Sequence, residues 1–173
     1  MMMRILEQGG LPVLVDGIRE ANEDNPRGYY EFERVKKLPE GDMGWLPEAP
    51  GKVVKIIAAL LVHLPDRYTY KVLFMRRKMD EILASQRVML ARRDEDPDAI
   101  DDAEMARLFG AHVAQVQNWM DRQPNVTYMD VDYNGVLVDP VRWLTRVHDF
   151  LGMPLDLDAM TEVVDPNLYR QRS

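Results

Sequence analysis

Residues 69–86 read TYKVLFMRRKMDEILASQ. Tyr70, Val72, Leu73, Phe74 and Met75 make a bulky apolar run, as expected of a central strand covered on both faces. Met79, Ile82, Leu83 and the stretch from Gln86 to Leu90 then recur at helical spacing. The segment therefore predicts a strand running straight into a helix. Arg76 and Arg77 stand at the joint, and Ser85 follows eight residues after the second arginine. In an open α/β sheet, ligands bind at the carboxyl ends of the strands. A guanidinium pair beside a helix N-terminus suits an anion, and phosphate is the expected one. Adjacent strand residues point to opposite faces, so one arginine of the two faces the site.

The spacing Arg77-x7-Ser85 resembles the 3′-phosphate-binding element of the sulfotransferases, which use the sulfuryl donor 3′-phosphoadenosine 5′-phosphosulfate (PAPS). In that family a strand ends in Arg, Ser follows on the next helix, and both hold the donor's 3′-phosphate. The resemblance assigns those roles to Arg77 and Ser85, with Glu81 at the acidic position between them. The proline often found two residues after the arginine is Met79 here.

Residues 126–156, VTYMDVDYNGVLVDPVRWLTRVHDFLGMPLD, carry a second resemblance to the same family. The family's late strand corresponds to Tyr128 to Val131 and its acidic turn to Asp132-Tyr133-Asn134. A helix then starts at Asp139-Pro140 and closes at Phe150-Leu151-Gly152. Local chemistry agrees. Asp139 can cap the helix, Pro140 suits its first position, and Gly152 suits the left-handed residue after its last turn.

The 173 residues fit one domain with a substantial core. A net charge of −7 argues against a nucleic-acid-binding surface, which needs a basic face. There are no cysteines, which fits the cytoplasm and leaves no disulfide or thiolate metal site. No apolar run approaches the roughly 20 residues that span a bilayer. The expected partners thus include no nucleic acid and no membrane. DEDPDAIDD, at 94–102, lacks the glycine and closing glutamate of a calcium loop, and His63, His112 and His148 show no metal-ligand spacing, so no metal is expected.

Along the chain, Met1 to Gln8 predicts a helix stopping at Gly9-Gly10. Leu11 to Val15 and Lys52 to Ile57 predict strands, and Tyr29 to Leu38 a short helix. Residues 39–51, with three prolines and three glycines, predict a loop. Glu104 to Arg122 predicts an amphipathic helix, and a polar tail follows the late helix. Alternating strands and helices predict an α/β fold with a mainly parallel sheet and helices on both faces. The resemblance refines this to a three-layer phosphate-loop-type fold. Sulfotransferases open with a strand and a phosphate-binding loop that begins the first helix. Met1 to Leu6 resembles that helix with the first strand and loop missing.

By resemblance, the function is sulfuryl transfer from PAPS to an acceptor hydroxyl or amine. The alternative is a non-catalytic remnant of the nucleotide fold that acts as a binding module. Many family members carry a Lys-Thr-His tripeptide whose histidine is the base; here the matching residues are Lys55-Ile56-Ile57. Other branches place an acidic base after the first helix. Asp16 falls nearest that position, with Glu31 and Glu20 as alternatives. Glu31 closes the stretch Asn25-Pro26-Arg27-Gly28-Tyr29-Tyr30-Glu31, which resembles an N-P-x-G-aromatic-x-E motif of bacterial members. Lys55 either faces the cleft or sits at an edge, and His63 could lie near an acceptor. Trp45, Trp119 and Trp143 read as packing residues, with Trp45 alternatively lining an acceptor pocket. Arg170 and Arg172 could reach a phosphate from the tail. The acceptor itself is not encoded in any one motif.

Overall fold

Two parallel strands form the centre of the computed structural model, which describes residues 1–18, 28–92, 96 and 99–164. Strand β1 is Tyr70–Arg76 and β2 is Val126–Asp132; their register runs from Tyr70 opposite Val126 to Arg76 opposite Asp132. The helices are α1 (Met2–Gln8), α2 (Met79–Arg92), α3 (Asp102–Met120), α4 (Tyr133–Val138), α5 (Pro140–Leu151) and α6 (Leu157–Glu162). Short 3₁₀ turns occupy Glu33–Glu40, Leu46–Glu48 and Ala58–His63. The chain is mixed α/β, as its alternating pattern predicts. Among the described residues the sheet has two strands, and β1 is not the centre of a wide one.

Period-2 alternation divides the strand side chains between two cores. On one face, Leu73 and Met129 pack with Val131 against α1, α4, α5 and α6, where Ile5, Val136, Leu144, Val147 and Met160 are fully buried. On the other, Phe74 and Val126 meet Val116 and Met120 of α3, together with Val35, Leu38, Trp45 and Leu46 from the 3₁₀ region. Helical or 3₁₀ layers thus cover both faces. Burying each Leu, Val or Met side chain contributes about 1.5–3 kcal/mol.

The expected strands at 11–15 and 52–57 shrink to one parallel bridge, Val13 to Val53. Leu14 N–H donates to the Val53 carbonyl and Val53 N–H to the Pro12 carbonyl, each at 2.9 Å. Pro12 has no N–H to extend the ladder. The acidic turn expected at 132–134 is instead the start of α4. The Asp132 carboxylate caps it, accepting from the N–H groups of Asn134 (2.9 Å) and Gly135 (3.1 Å). Part of the expected polar tail is α6, capped by Asp156, whose carboxylate accepts from Ala159 N–H.

Helix α5 begins and ends as its sequence indicates. Asp139 accepts from Arg142 N–H at 3.1 Å, Pro140 occupies the first turn, and Gly152 takes φ +62°. The Lys71 ammonium, on β1, donates to the carbonyls of Phe150 and Leu151 at 3.0 and 2.7 Å. It satisfies last-turn carbonyls and complements the negative end of the helix. The strand is thereby tied to the helix across the sheet face.

Gly135 lets α4 and α5 approach. A Cβ built there would overlap the Trp143 indole. An indole is a rigid plane that cannot fold away, so Gly135→Ala is expected to lower stability by about 1–3 kcal/mol. Chemical denaturation is the check, and Gly110→Ala is the control, because a Cβ there meets nothing within 4 Å.

Helix α2 departs from expectation most. Its apolar spacing predicts a packed face, yet its only buried side chain is Glu81, and Val88 and Met89 are exposed. The helix is anchored at its first turns, over the ends of the strands, by a carboxylate rather than by an apolar stripe.

Candidate functional site

Parallel strands bring their carboxyl ends to the same edge of a sheet. Arg77 therefore follows β1 abreast of Tyr133, which follows β2, one step beyond the Arg76–Asp132 pair. The two arginines separate as strand alternation requires. Arg76 lies over the Phe74 ring and 3.6 Å from the Asp130 carboxylate, on the α3 side. Arg77 turns to the other side.

There its Nε–H donates to Glu81 Oε2 at 2.8 Å. Glu81 Oε1 accepts from Asn134 Nδ2 at 2.6 Å. The Arg77 guanidinium lies over the Tyr133 ring, 5.2 Å from its centroid. The Glu81 side chain has no solvent exposure, whereas Arg77 keeps 27%. A buried carboxylate is tolerated only when paired and hydrogen-bonded, and Arg77 and Asn134 supply both. Burial pushes the Tyr133 phenol above its ordinary pKa; the Arg77 charge beside it works the other way.

A guanidinium has five N–H groups, and one is committed to Glu81. The terminal nitrogens of Arg77 make no hydrogen bond among the described residues. The result is a partly exposed two-nitrogen fork, fixed at its base. Ser85 lies one helical turn beyond Glu81 on the same face of α2, half-buried, with no hydrogen-bond partner among the described residues. This arrangement can accept an anion in bidentate fashion. The α2 N-terminus itself is a poor anion seat. Asp80 and Glu81 fill its first turn, and the Asp80 carboxylate accepts from Glu81 N–H at 3.0 Å. One arginine faces the site, as strand alternation predicts, and the expected contribution of the helix N-terminus is corrected to the arginine's own fork.

Asp16 and Glu31 are brought together by a backbone bond, Asp16 N–H to the Glu31 carbonyl at 3.4 Å. The Asp16 carboxylate accepts from the N–H groups of Ile18 and Glu33. Both its oxygens thus hold the chain, and the second caps the 3₁₀ turn at Glu33–Glu40. Glu31 lies 3.7 Å from the Lys55 ammonium and 3.5 Å from that of Lys36, with 17% of its side chain exposed. Lys55 is exposed and also donates to the Tyr29 carbonyl at 3.0 Å. Tyr30, between them, takes φ +51°, a conformation that side chains rarely adopt, and its hydroxyl donates to Glu7 on α1. Glu20 lies outside the described residues, as do Arg170 and Arg172. His63 ends the 3₁₀ turn at Ala58–His63 and is exposed. Trp45 is buried.

Burial and the neighbouring Glu7 push the Tyr30 hydroxyl up to about 12, and burial pushes Tyr70 to about 12 as well. A pKa raised by folding means that the folded chain holds the proton more tightly. The stability these tyrosines confer is complete below about pH 10, where an unfolded tyrosine is still protonated, and falls as pH rises towards 12. Tyrosinate absorbance is expected to lose one late-titrating hydroxyl in Tyr30→Phe and one in Tyr70→Phe.

Tyr133 and Asn134 read as turn residues in the sequence, which misses their part in the site. The available signal is positional: they follow the second parallel strand directly, just as Arg77 follows the first. Among the described residues no group of three or more acidic or histidine side chains is placed to hold a metal ion, and no helix is long and apolar enough to cross a membrane. No protein-family model matches the chain, and neither a curated protein nor a solved structure matches it.

Proposed function

We propose that the chain is a sulfotransferase-family domain of the phosphate-loop type, using PAPS as sulfuryl donor. The observation that carries this reading is the Arg77 fork. It stands at the carboxyl end of a parallel strand, fixed by Glu81, with the Ser85 hydroxyl on the same helix face. That is the chemistry a 3′-phosphate requires: a bidentate cation and a neutral donor. PAPS supplies the activated sulfuryl group. Arg77 and Ser85 bind and orient its 3′-phosphate. Glu31 is the better placed of the candidate bases for the acceptor's proton, because both Asp16 oxygens already accept backbone N–H groups. Glu31 carries one constraint of its own, since the Lys36 and Lys55 ammonium groups lie 3.5 and 3.7 Å from its carboxylate. The acceptor is a hydroxyl or amine. A cytoplasmic setting belongs to the same proposal, supported by the cysteine-free sequence.

A second reading, a binding module without transfer, is favoured by one observation. Asp16 is committed to backbone amides and Glu31 to two lysines, so neither carboxylate stands alone as a base. The two readings share the anion site and differ in turnover.

Calorimetric titration with 3′-phosphoadenosine 5′-phosphate tests the site. Binding is expected, with a loss of about 100-fold or more in Arg77→Ala, since a hydrogen bond to a charged group is worth about 1.5–3 kcal/mol and the fork makes two. Equal affinity in that variant contradicts the reading. Release of 3′-phosphoadenosine 5′-phosphate from PAPS that depends on an added acceptor separates the enzyme from the module.

A further inference from the structure

We propose that Asn134 is a positioning residue for the anion site, acting on Arg77 through Glu81. The inference rests on the reading of Arg77 as the phosphate ligand and adds what sets its aim. A planar guanidinium is oriented by two constraints: the plane in which it lies and its rotation within that plane. The Tyr133 ring beneath Arg77 supplies the first. The Nε–H bond to Glu81 Oε2 supplies the second and leaves the terminal nitrogens of a side chain that keeps 27% exposure to engage an anion. Glu81 can hold that bond only if its own carboxylate is fixed, and Asn134 Nδ2 fixes it at the other oxygen, 2.6 Å away. Glu81 belongs to α2, and Asn134 to the first turn of α4, whose backbone is pinned by Asp132. The clasp therefore joins the end of β1 to the end of β2. The anion site is a property of both strand ends, and the residue that sets its aim is remote in sequence from the arginine.

The chemistry of the clasp gives it a polarity. A carboxylate accepts and an amide side chain has one acceptor and one donor end. In Glu81→Gln a single carbonyl oxygen replaces the two acceptors, so a donor faces either Arg77 or Asn134. In Asn134→Asp two carboxylates face each other. In the double variant, Glu81→Gln with Asn134→Asp, the amide oxygen at position 81 faces Arg77. The amide nitrogen there donates to the carboxylate introduced at position 134, which restores both bonds of the clasp with the charge moved from one side chain to the other.

The test is a double-mutant cycle on the full chain, with 3′-phosphoadenosine 5′-phosphate as probe and the thermal midpoint measured in parallel. Each single variant is expected to bind about tenfold more weakly, and the double variant to return to within about threefold of the unaltered chain. Affinities are compared well below each midpoint, so a merely structural role moves the midpoint and leaves the dissociation constant alone. Single variants that bind like the unaltered chain, while Arg77→Ala loses binding, overturn the positioning role and leave the phosphate site standing. No binding by the unaltered chain overturns the phosphate site and this inference with it. If a member of the cycle fails to fold, Asn134→Ala carries the test, because it keeps the Arg77–Glu81 pair. It too is expected to lose about tenfold. Its Arg77 Nε–H resonance is expected to broaden as the guanidinium loses its fixed direction, and unchanged affinity with an unchanged resonance overturns the role.

Discussion

Arg77→Met is expected to destabilise the fold by about 3–5 kcal/mol, because it removes one partner of a buried ion pair and keeps the other in place. The Glu81 side chain is shut off from solvent, and Arg77 is one of the donors facing it. Methionine keeps most of the apolar stem, so lost packing contributes little and removal of the cation beside the buried carboxylate dominates. Arg77→Lys separates stability from recognition. A lysine can still place an ammonium beside Glu81 and is expected to recover most of the lost stability. It cannot present a second, outward-facing pair of donors, so anion affinity is expected to stay low. Denaturant unfolding of the two variants, alongside their titrations, tests this. Equal stability of Arg77→Met and the unaltered chain would mean that Glu81 does not depend on the arginine.

Trp45→Ala is expected to cost about 3–5 kcal/mol, the range for emptying a large buried aromatic site. Trp45 is 2% exposed, its ring meets Phe32 edge-on with centroids 5.4 Å apart, and its indole N–H donates to the Asp42 carbonyl at 3.1 Å. It packs with Val35, Leu38 and Leu46, in a region whose secondary structure is only short 3₁₀ turns. Such a region has few long-range backbone ladders, so one large side chain carries a large share of its cohesion. The loss is expected to appear first as protease sensitivity and faster amide exchange between residues 33 and 64, before global unfolding. A loss under about 1 kcal/mol, far below the cost of emptying a buried aromatic site, would favour the other role considered for Trp45, a wall of an acceptor pocket.

Features governed by local chemistry are legible in the sequence. Asp139, Pro140 and Gly152 set the ends of α5 by capping, fixed φ and positive φ, and none of these depends on distant contacts. The separation of Arg76 from Arg77 follows from alternation alone. What depends on pairing is not legible. Residues 52–57 have the composition of a strand, but their neighbouring segment offers Pro12, and the ladder stops at one bridge. The apolar spacing of α2 marks a helical face without specifying what covers it, and the buried position goes to Glu81. Asn134 gives no signal by itself, because its role appears only once the register places it beside Glu81 across 53 residues of chain. Trp45 stays between two roles in the sequence because a loop rich in proline and glycine does not reveal its own packing.

We propose that the Arg77 fork recognises a 3′-phosphate. The most direct test is the ratio of dissociation constants for adenosine 5′-phosphate and 3′-phosphoadenosine 5′-phosphate, two ligands that differ only in that group. The unaltered chain is expected to favour the bisphosphate by on the order of 100-fold, and Arg77→Lys by much less, since a lysine offers no bidentate fork. Equal affinity of the unaltered chain for both ligands would contradict the account.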